Sequence, residues 1–565
     1  MKLTRSELAM GSAAFLVETV NQLADAYLEC RQRELGERIP HERLVFERQR
    51  VRAFITDRNV YGVDLNPIAC ELGEISLWLN GIHEGDFVPW FGDQLFTGNS
   101  LIGARAAVHR CDLLRRGLKV RERWHAHAPR QLGVDAPRRK HEVHHFLLPD
   151  PAMAAVSLQS FGHRETDLRV KRLRRWRSGF CRPFASHEVA FLQQLSLRVD
   201  DLLKINAEAQ RSLRRMNNDP IGIYGQRAEG DGSVHGEKER RLAKLKASTA
   251  HGRLKLAMDY WCALWFWPLD EVDLLPSREA FLAEMHLILH GRQPRDAFDM
   301  LGSERMWEML SREARTLFAL SGDAEIEPEA LVRHNPRLRV VNSVSERERF
   351  FHWPLELGDI LLLDGGFDLV IGNPPWIKLN WSDKLHLSTF DPRLELRRTT
   401  SFEAMWQRSS LLSKPEWRDR YIADFRAFEG GRKFLAARQN YHLTTGDTNL
   451  YKCFVEKSFV LVKHNGRVGL LHPDGHFAGT LDTNLRREAY RRLIQHFQFR
   501  NTLNLRMFAG IDSRNEYSIN IYRGHEREPS FKTIHNLFLP ETVDACFAHD
   551  GIGDEVPGIK DANDD

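Results

Sequence analysis

The residues of this sequence best suited to handle an amino group are Asn373, Pro374, Pro375 and Trp376. Two consecutive prolines fix φ, remove two N–H donors and keep the turn out of a helix. The carbonyls of Asn373 and Pro374 are therefore not all consumed locally. With the Asn373 amide they can accept hydrogen bonds from a ligand amino group, and Trp376 supplies a flat apolar face for a ring. A second candidate is Asp64, at the end of the apolar run Val60–Val63 and just before a helical pattern. An acid at the carboxyl end of a strand is placed to accept both ribose hydroxyls of a nucleoside; the competing reading is a helix cap. Gly11-Ser12 opens another helical pattern, with Ser12 as its possible cap. Ala13 fits a tight loop there if its φ is negative and is strained if φ is positive. Asn99 lies in Gly98-Asn99-Ser100-Leu101-Ile102-Gly103, by itself only a turn signature, with Asp93 as a weaker competitor.

These side chains need a scaffold of buried strands that end together. Phe367–Ile371 is apolar apart from Asp368 and reads as a strand covered on both faces, with Gly372 letting the backbone turn. Residues 68–79 form a helix with an apolar stripe at Ile68, Leu72, Ile75 and Leu79. Further on, a helix starts after Gly446-Asp447-Thr448-Asn449-Leu450-Tyr451, Gly466–Pro473 is a turn leading into a buried strand, and Ser518–Tyr522 is a late strand. Asp447, Asn449 and Tyr451 are candidates to line a target pocket, with Asp447 also a possible cap.

The order glycine loop, ribose acid, Gly-Asn-Ser-Leu, Asn-Pro-Pro-Trp resembles that of S-adenosylmethionine (SAM)-dependent amino-methyltransferases. It is closest to adenine-N6 DNA methyltransferases of the large type IIG restriction–modification and phage-defence kind. The resemblance covers less than half of the chain, in the blocks 7–103, 367–378 and 444–522. It implies an α/β, Rossmann-like methyltransferase domain with a large, mainly helical insertion, and SAM as cofactor. By the same resemblance Glu7, Gly11, Ser12, Phe15, Asp64 and Asn99 bind the cofactor, and Asn373, Pro374, Pro375 and Trp376 are catalytic. The implied partner is double-stranded DNA with the target base flipped out; no metal is required. Leu8 stands at the usual proline of the glycine loop and Ala13 at its usual second glycine. Only Met1 to Ser6 precede Glu7, so the central strand is expected to be nearly absent. The expectation is a truncated chain, a misassigned start, or a partner polypeptide that supplies the upstream segment or target recognition. RNA or protein-glutamine methylation, cytosine N4 as target, and an inactive DNA-binding or scaffold subunit remain open alternatives.

About 260 residues separate Gly103 from the Asn-Pro-Pro-Trp strand, far beyond an ordinary connection. The division read from this is 1–104 and 356–525 for the methyltransferase halves, 105–355 for the insertion and 526–565 for a polar, acidic tail. Net charge is only +4, but basic residues cluster at 115–140 and in Lys171-Arg172-Leu173-Arg174-Arg175-Trp176-Arg177, where they could neutralise phosphates. His141, His144 and His145 read as surface histidines without a matching ligand cluster. The aromatic run Tyr260–Trp267 reads as helical core, 191–216 and 237–267 as long amphipathic helices, 217–236 as a flexible linker, 276–321 as further helix and 377–441 as a mobile segment over the site. The seven scattered cysteines, with no CxxC pair, suit a reducing cytoplasm. No apolar run approaches a membrane span, and no signal peptide is visible.

Overall fold

The computed structural model describes residues 4–84, 88–156, 164–228, 232–292, 325–392, 410–444, 448–501, 516–550 and 555–559, with the single positions 394, 408, 508 and 552. The strands in chain order are β1 (Arg5–Glu7), β2 (Val60–Asp64), β3 (Leu95–Thr97), β4 (Ala107–Arg110), β5 (Arg130–Gln131), β6 (Glu142–His144), β7 (Phe367–Gly372), β8 (Val462–Pro473), β9 (Leu493–Arg500), β10 (Glu516–Arg523) and β11 (Lys532–Leu537). Eight of them form one sheet in the order β11-β9-β10-β8-β7-β1-β2-β3, and β4–β6 make a small separate sheet. Only β10 runs antiparallel, between β8 and β9. From β1 the chain builds one half through β2 and β3 and the other through β7 and β8. The order therefore reverses between β1 and β7, where the strand ends open a crevice. This is an α/β, Rossmann-like sheet.

The central strand is short but present. Arg5, Ser6 and Glu7 pair with Val60, Tyr61 and Gly62 on one side and with Leu369, Val370 and Ile371 on the other. The main-chain N–H of Thr4 donates to Asp368 at 2.7 Å and its hydroxyl at 3.0 Å, which fixes the start of β1 against β7. Three residues suffice because they are hydrogen-bonded on both edges. The helices nearest this half are α1 (Ala14–Leu35), α2 (His41–Asn59) and α3 (Pro67–Asn80). The apolar stripe of α3 faces outward: Ile68, Leu72, Ile75 and Leu79 are all exposed, and Cys70, Gly73 and Leu77 meet the sheet instead.

The insertion is built from α4 (Arg164–Phe180), α5 (Ser186–Asn217), α6 (His235–Lys246), α7 (Thr249–Ala263), α8 (Arg278–His290), α9 (Pro328–His334) and α10 (Pro336–Glu348). The helix expected over 237–267 is broken where Ser248 caps α7 by accepting from the His251 N–H. Most of 276–321 beyond α8 lies outside the described residues. Tyr260, Trp261, Trp265 and Trp267 are completely buried, as the aromatic run suggests, and belong to one apolar core that also holds Leu8, Val63 and Val370 of the sheet half. The insertion thus shares a core with the sheet. Two expectations are corrected here. His144 and His145 are buried, because His144 bonds Asp200 at 2.8 Å and His145 accepts from the Arg105 N–H at 2.8 Å. The segment after the Asn373–Trp376 turn is clamped at its far end: α11 (Pro415–Ala436) buries Arg426, which donates to the carbonyls of Ala155 and Trp267. Residues 526–565 include β11 and α14 (Glu541–Ala548), reached after α12 (Leu450–Leu461) and α13 (Thr483–Arg492), so part of this tail is an edge of the sheet. Among the described residues no helix is long and apolar enough to cross a membrane.

Candidate active site

The loops after β1, β2, β3 and β7 all leave the same end of the parallel strands. After β1, Gly11 takes φ +52° and its N–H donates to Asp64 Oδ2 at 2.9 Å. The Asn66 N–H donates to Asp64 Oδ1 at 2.8 Å. Asn66, not Asp64, caps α3, its side chain accepting from the Ile68 N–H at 3.1 Å. The capping alternative for Asp64 therefore falls away. Each of its oxygens has one N–H donor and keeps a lone pair for a hydroxyl. Ser12 is exposed and caps nothing; Ala13 holds the position before α1 with φ +62° and ψ 26°. A left-handed alanine costs about 1–2 kcal/mol. Its methyl group is accommodated by Gly73 of α3, where an added Cβ would stand 3.4 Å from Ala13 Cβ. Phe15 is half-buried in the first turn of α1.

Asn99 follows β3 at this same end. Its N–H donates to Arg349 O at 2.7 Å and its side-chain oxygen accepts from the Leu101 N–H at 3.3 Å. The competitor Asp93 precedes β3 and lies at the opposite end, where Arg214 donates to its main-chain oxygen at 2.7 Å, so it is no part of this site.

Glu7 connects the loop to the turn at Gly372 and Asn373. It is 2% exposed, one carboxyl oxygen has no partner, and an added Cβ on Gly372 would stand 3.4 Å from the other. Burial pushes its carboxyl well above the ordinary range; a hydrogen bond from the Leu16 main chain opposes this and the nearby Asp64 charge adds to it. Glu7 is thus neutral in the folded chain at pH values where it ionises in the unfolded chain. Its contribution to stability is complete below about pH 4.5 and is lost as pH rises through the folded value, at about 1.4 kcal/mol per pH unit within that window. Urea titrations across pH should show a slope shallower by this amount in Glu7→Gln than in the wild type.

Gly372 has φ +153°, a conformation open to glycine. Asn373 beyond it is half-buried, and its side-chain oxygen is buried without a partner. Pro374 is buried and Pro375 half-buried. The Trp376 ring packs 5.4 Å from Phe508 and 5.9 Å from Tyr517, with its Nε1 unpartnered. The chain then pairs with the start of α12: Leu450 N–H donates to Ile377 O, and Leu379 N–H to Thr448 O, both at 2.9 Å. Asn449 caps α12, and Tyr451 is buried with its hydroxyl unpartnered; Asp447 lies outside the described residues.

The sequence reading missed Asp474, just past β8. It accepts from Ser518 Oγ and from Gln498 Nε2 at 2.9 Å, and His496 Nε2 lies 3.5 Å away. Burial would raise this carboxyl, but hydrogen bonds from His496 and Ser518 outweigh it and leave it lowered. The rule that found Asp64, an acid at the carboxyl end of a strand, applies equally to His472-Pro473-Asp474-Gly475. The basic clusters resolve differently. Arg130 pairs with Glu142, Arg138 with Asp200 and Arg172 with Asp273, while Lys171, Arg174 and Arg175 are exposed along α4. Trp176 turns inward, bonding Pro276 O at 2.6 Å and stacking on Phe180. A separate groove of about 860 Å³ between the insertion and α11 is lined by Arg169, Arg339, Arg347 and Arg418 among others, and by none of the candidate site residues.

No family model matches the chain. No curated protein matches it. Among solved structures, the chain is similar to a protein of Listeria monocytogenes described as a candidate class I SAM-dependent methyltransferase, at 11% identity over 68% of this chain and 95% of that one. The TM-score is 0.18, a likeness too slight to bear on fold or function.

Proposed function

We propose that this chain is a SAM-dependent methyltransferase acting on the N6 amino group of adenine in DNA, within a restriction–modification or phage-defence system. The observation that carries the reading is the unpartnered oxygen of Asn373, which lies across β1 from Asp64 and follows Gly372, the residue packed on the buried carboxyl of Glu7. It follows directly on β7, at the crevice where the strand order reverses. The residues present fit the cofactor: Asp64 can accept two hydroxyls, and Glu7 and the loop at Gly11 and Ser12 lie between it and Asn373. When bound, SAM supplies a sulfonium methyl.

Asn373 Oδ1 and the Pro374 carbonyl accept the two N–H bonds of the target amino group. This strengthens the lone-pair character of its nitrogen and aims it, so rate enhancement comes from positioning and electrostatics. Trp376, braced by Phe508 and Tyr517, offers its remaining face to the flipped base. Extruding that base costs a few kcal/mol, repaid by contacts in the pocket. Exposed Lys171, Arg174 and Arg175 on α4 suit the phosphate backbone.

Incubation with isotopically labelled SAM and duplex DNA, followed by digestion and mass spectrometry, tests the reading. Label in N6-methyladenine supports it. Label in N4-methylcytosine changes the base assigned, and label in RNA or in protein glutamine overturns the DNA assignment. DNA binding without transfer, unchanged in Asn373→Ala, would favour a scaffold. Asp64→Ala is expected to weaken SAM binding by at least about a hundredfold, because each of the two hydrogen bonds to the charged group contributes about 1.5–3 kcal/mol; calorimetry reads this directly.

A further inference from the structure

The outward stripe of α3 has no partner in this fold. Ile68, Leu72, Ile75 and Leu79 are 62%, 49%, 50% and 55% exposed, and Leu65 and Ile82 at its two ends are 53% and 50% exposed. Single exposed apolar side chains are ordinary, but a contiguous row is a feature of contact surfaces. Within α3 the positions 68, 72, 75 and 79 follow at intervals of four, three and four, the repeat with which one helix receives another. From Ile68 to Leu79 the row runs about 17 Å.

Its charge selects the occupant. From Val60 to Ile82 the charged side chains are Asp64, Glu71 and Glu74, with no lysine, arginine or histidine. Two copies of this chain meeting through α3 would set Glu71 and Glu74 against like charges across a two-fold seam. A helix with basic flanks meets attraction at the same positions. We propose that α3 is the docking site for an amphipathic helix of a second polypeptide, with an apolar four-three seam bordered by Lys or Arg. Its Leu65 end adjoins Asp64, so the docked helix ends beside the candidate cofactor residues. The proposal stands independently of the methyltransferase reading.

The test uses the full chain and two fluorescent synthetic helical peptides with the same leucine seam, one flanked by lysines and the other by glutamates. The lysine peptide should bind saturably, about tenfold or more tighter than its twin, and weaken as salt is raised. Ile75→Lys should lower its affinity by at least about tenfold with helical content unchanged. If that variant fails to fold, Glu71→Lys with Glu74→Lys should invert the preference to the glutamate peptide. Equal binding of both peptides, or affinity unaltered by these substitutions, overturns the proposal. So does sedimentation showing a wild-type dimer that Ile75→Lys dissolves, which would assign the stripe to a second copy.

Discussion

Asn373→Ala should lower the rate of methyl transfer by about 10²–10³-fold, the usual cost of removing one preorganised hydrogen-bonding group at a reacting centre. SAM affinity and thermal stability should stay near those of the wild type. The side-chain oxygen of Asn373 has no partner in the folded chain, so removing it breaks no internal bond. Asn373→Asp should retain more activity than the alanine variant, since a carboxylate still accepts an N–H. Single-turnover kinetics with saturating SAM separates this loss from binding. A variant with unchanged turnover would remove Asn373 from the reaction.

Gly103→Ala should abolish folding, with a loss above about 4 kcal/mol, at the far end of what single substitutions do. An added Cβ there would lie 2.0 Å from Phe351 O and 2.7 Å from its carbonyl carbon. The backbone it meets cannot step aside. Phe351 N–H donates to Ile102 O at 2.9 Å, Ala104 N–H to His352 Nδ1 at 2.9 Å, and Trp353 Nε1 to Ser100 O at 2.9 Å. This seam is where the chain returns from the insertion to the loop carrying Asn99, so the cofactor half and the insertion should fail together. Gly133→Ala is the matched control: nothing lies within 4 Å of its added methyl group, and urea denaturation should place it within about 0.5 kcal/mol of the wild type.

The parts of the fold legible in the sequence were those set by local chemistry. Asp64 at a strand end, Gly372 before two prolines and the aromatic run of α7 each carry their own signal within a few residues. What escaped depends on distant partners. The spacing of Ile68, Leu72, Ile75 and Leu79 gives a helix with an apolar face, but not the direction of that face. Gly73, which lets Ala13 approach, decides which side meets the sheet. His144 and His145 look like surface residues until Asp200 and Arg105, far along the chain, supply their bonds. Central strand β1 looked too short because its support comes from β2 and from β7. The left-handed conformation of Ala13 was posed by the sequence as a question of φ, and the packing of α3 answers it. Asp474 shows in the sequence only as an acid past a strand, because its hydrogen-bond donors come from β9 and β10.

The contact between Thr4 and Asp368 joins positions 364 residues apart. During synthesis at 5–20 residues per second, about 20–70 s pass between the emergence of β1 and that of β7. For that interval β1 can pair only with β2, and its other edge is an unpaired strand next to apolar surface, a template for association with neighbouring chains. Nascent chains should therefore depend on a holding chaperone until β7 arrives. A chain split within the insertion would have to be supplied as both halves at once to yield folded product.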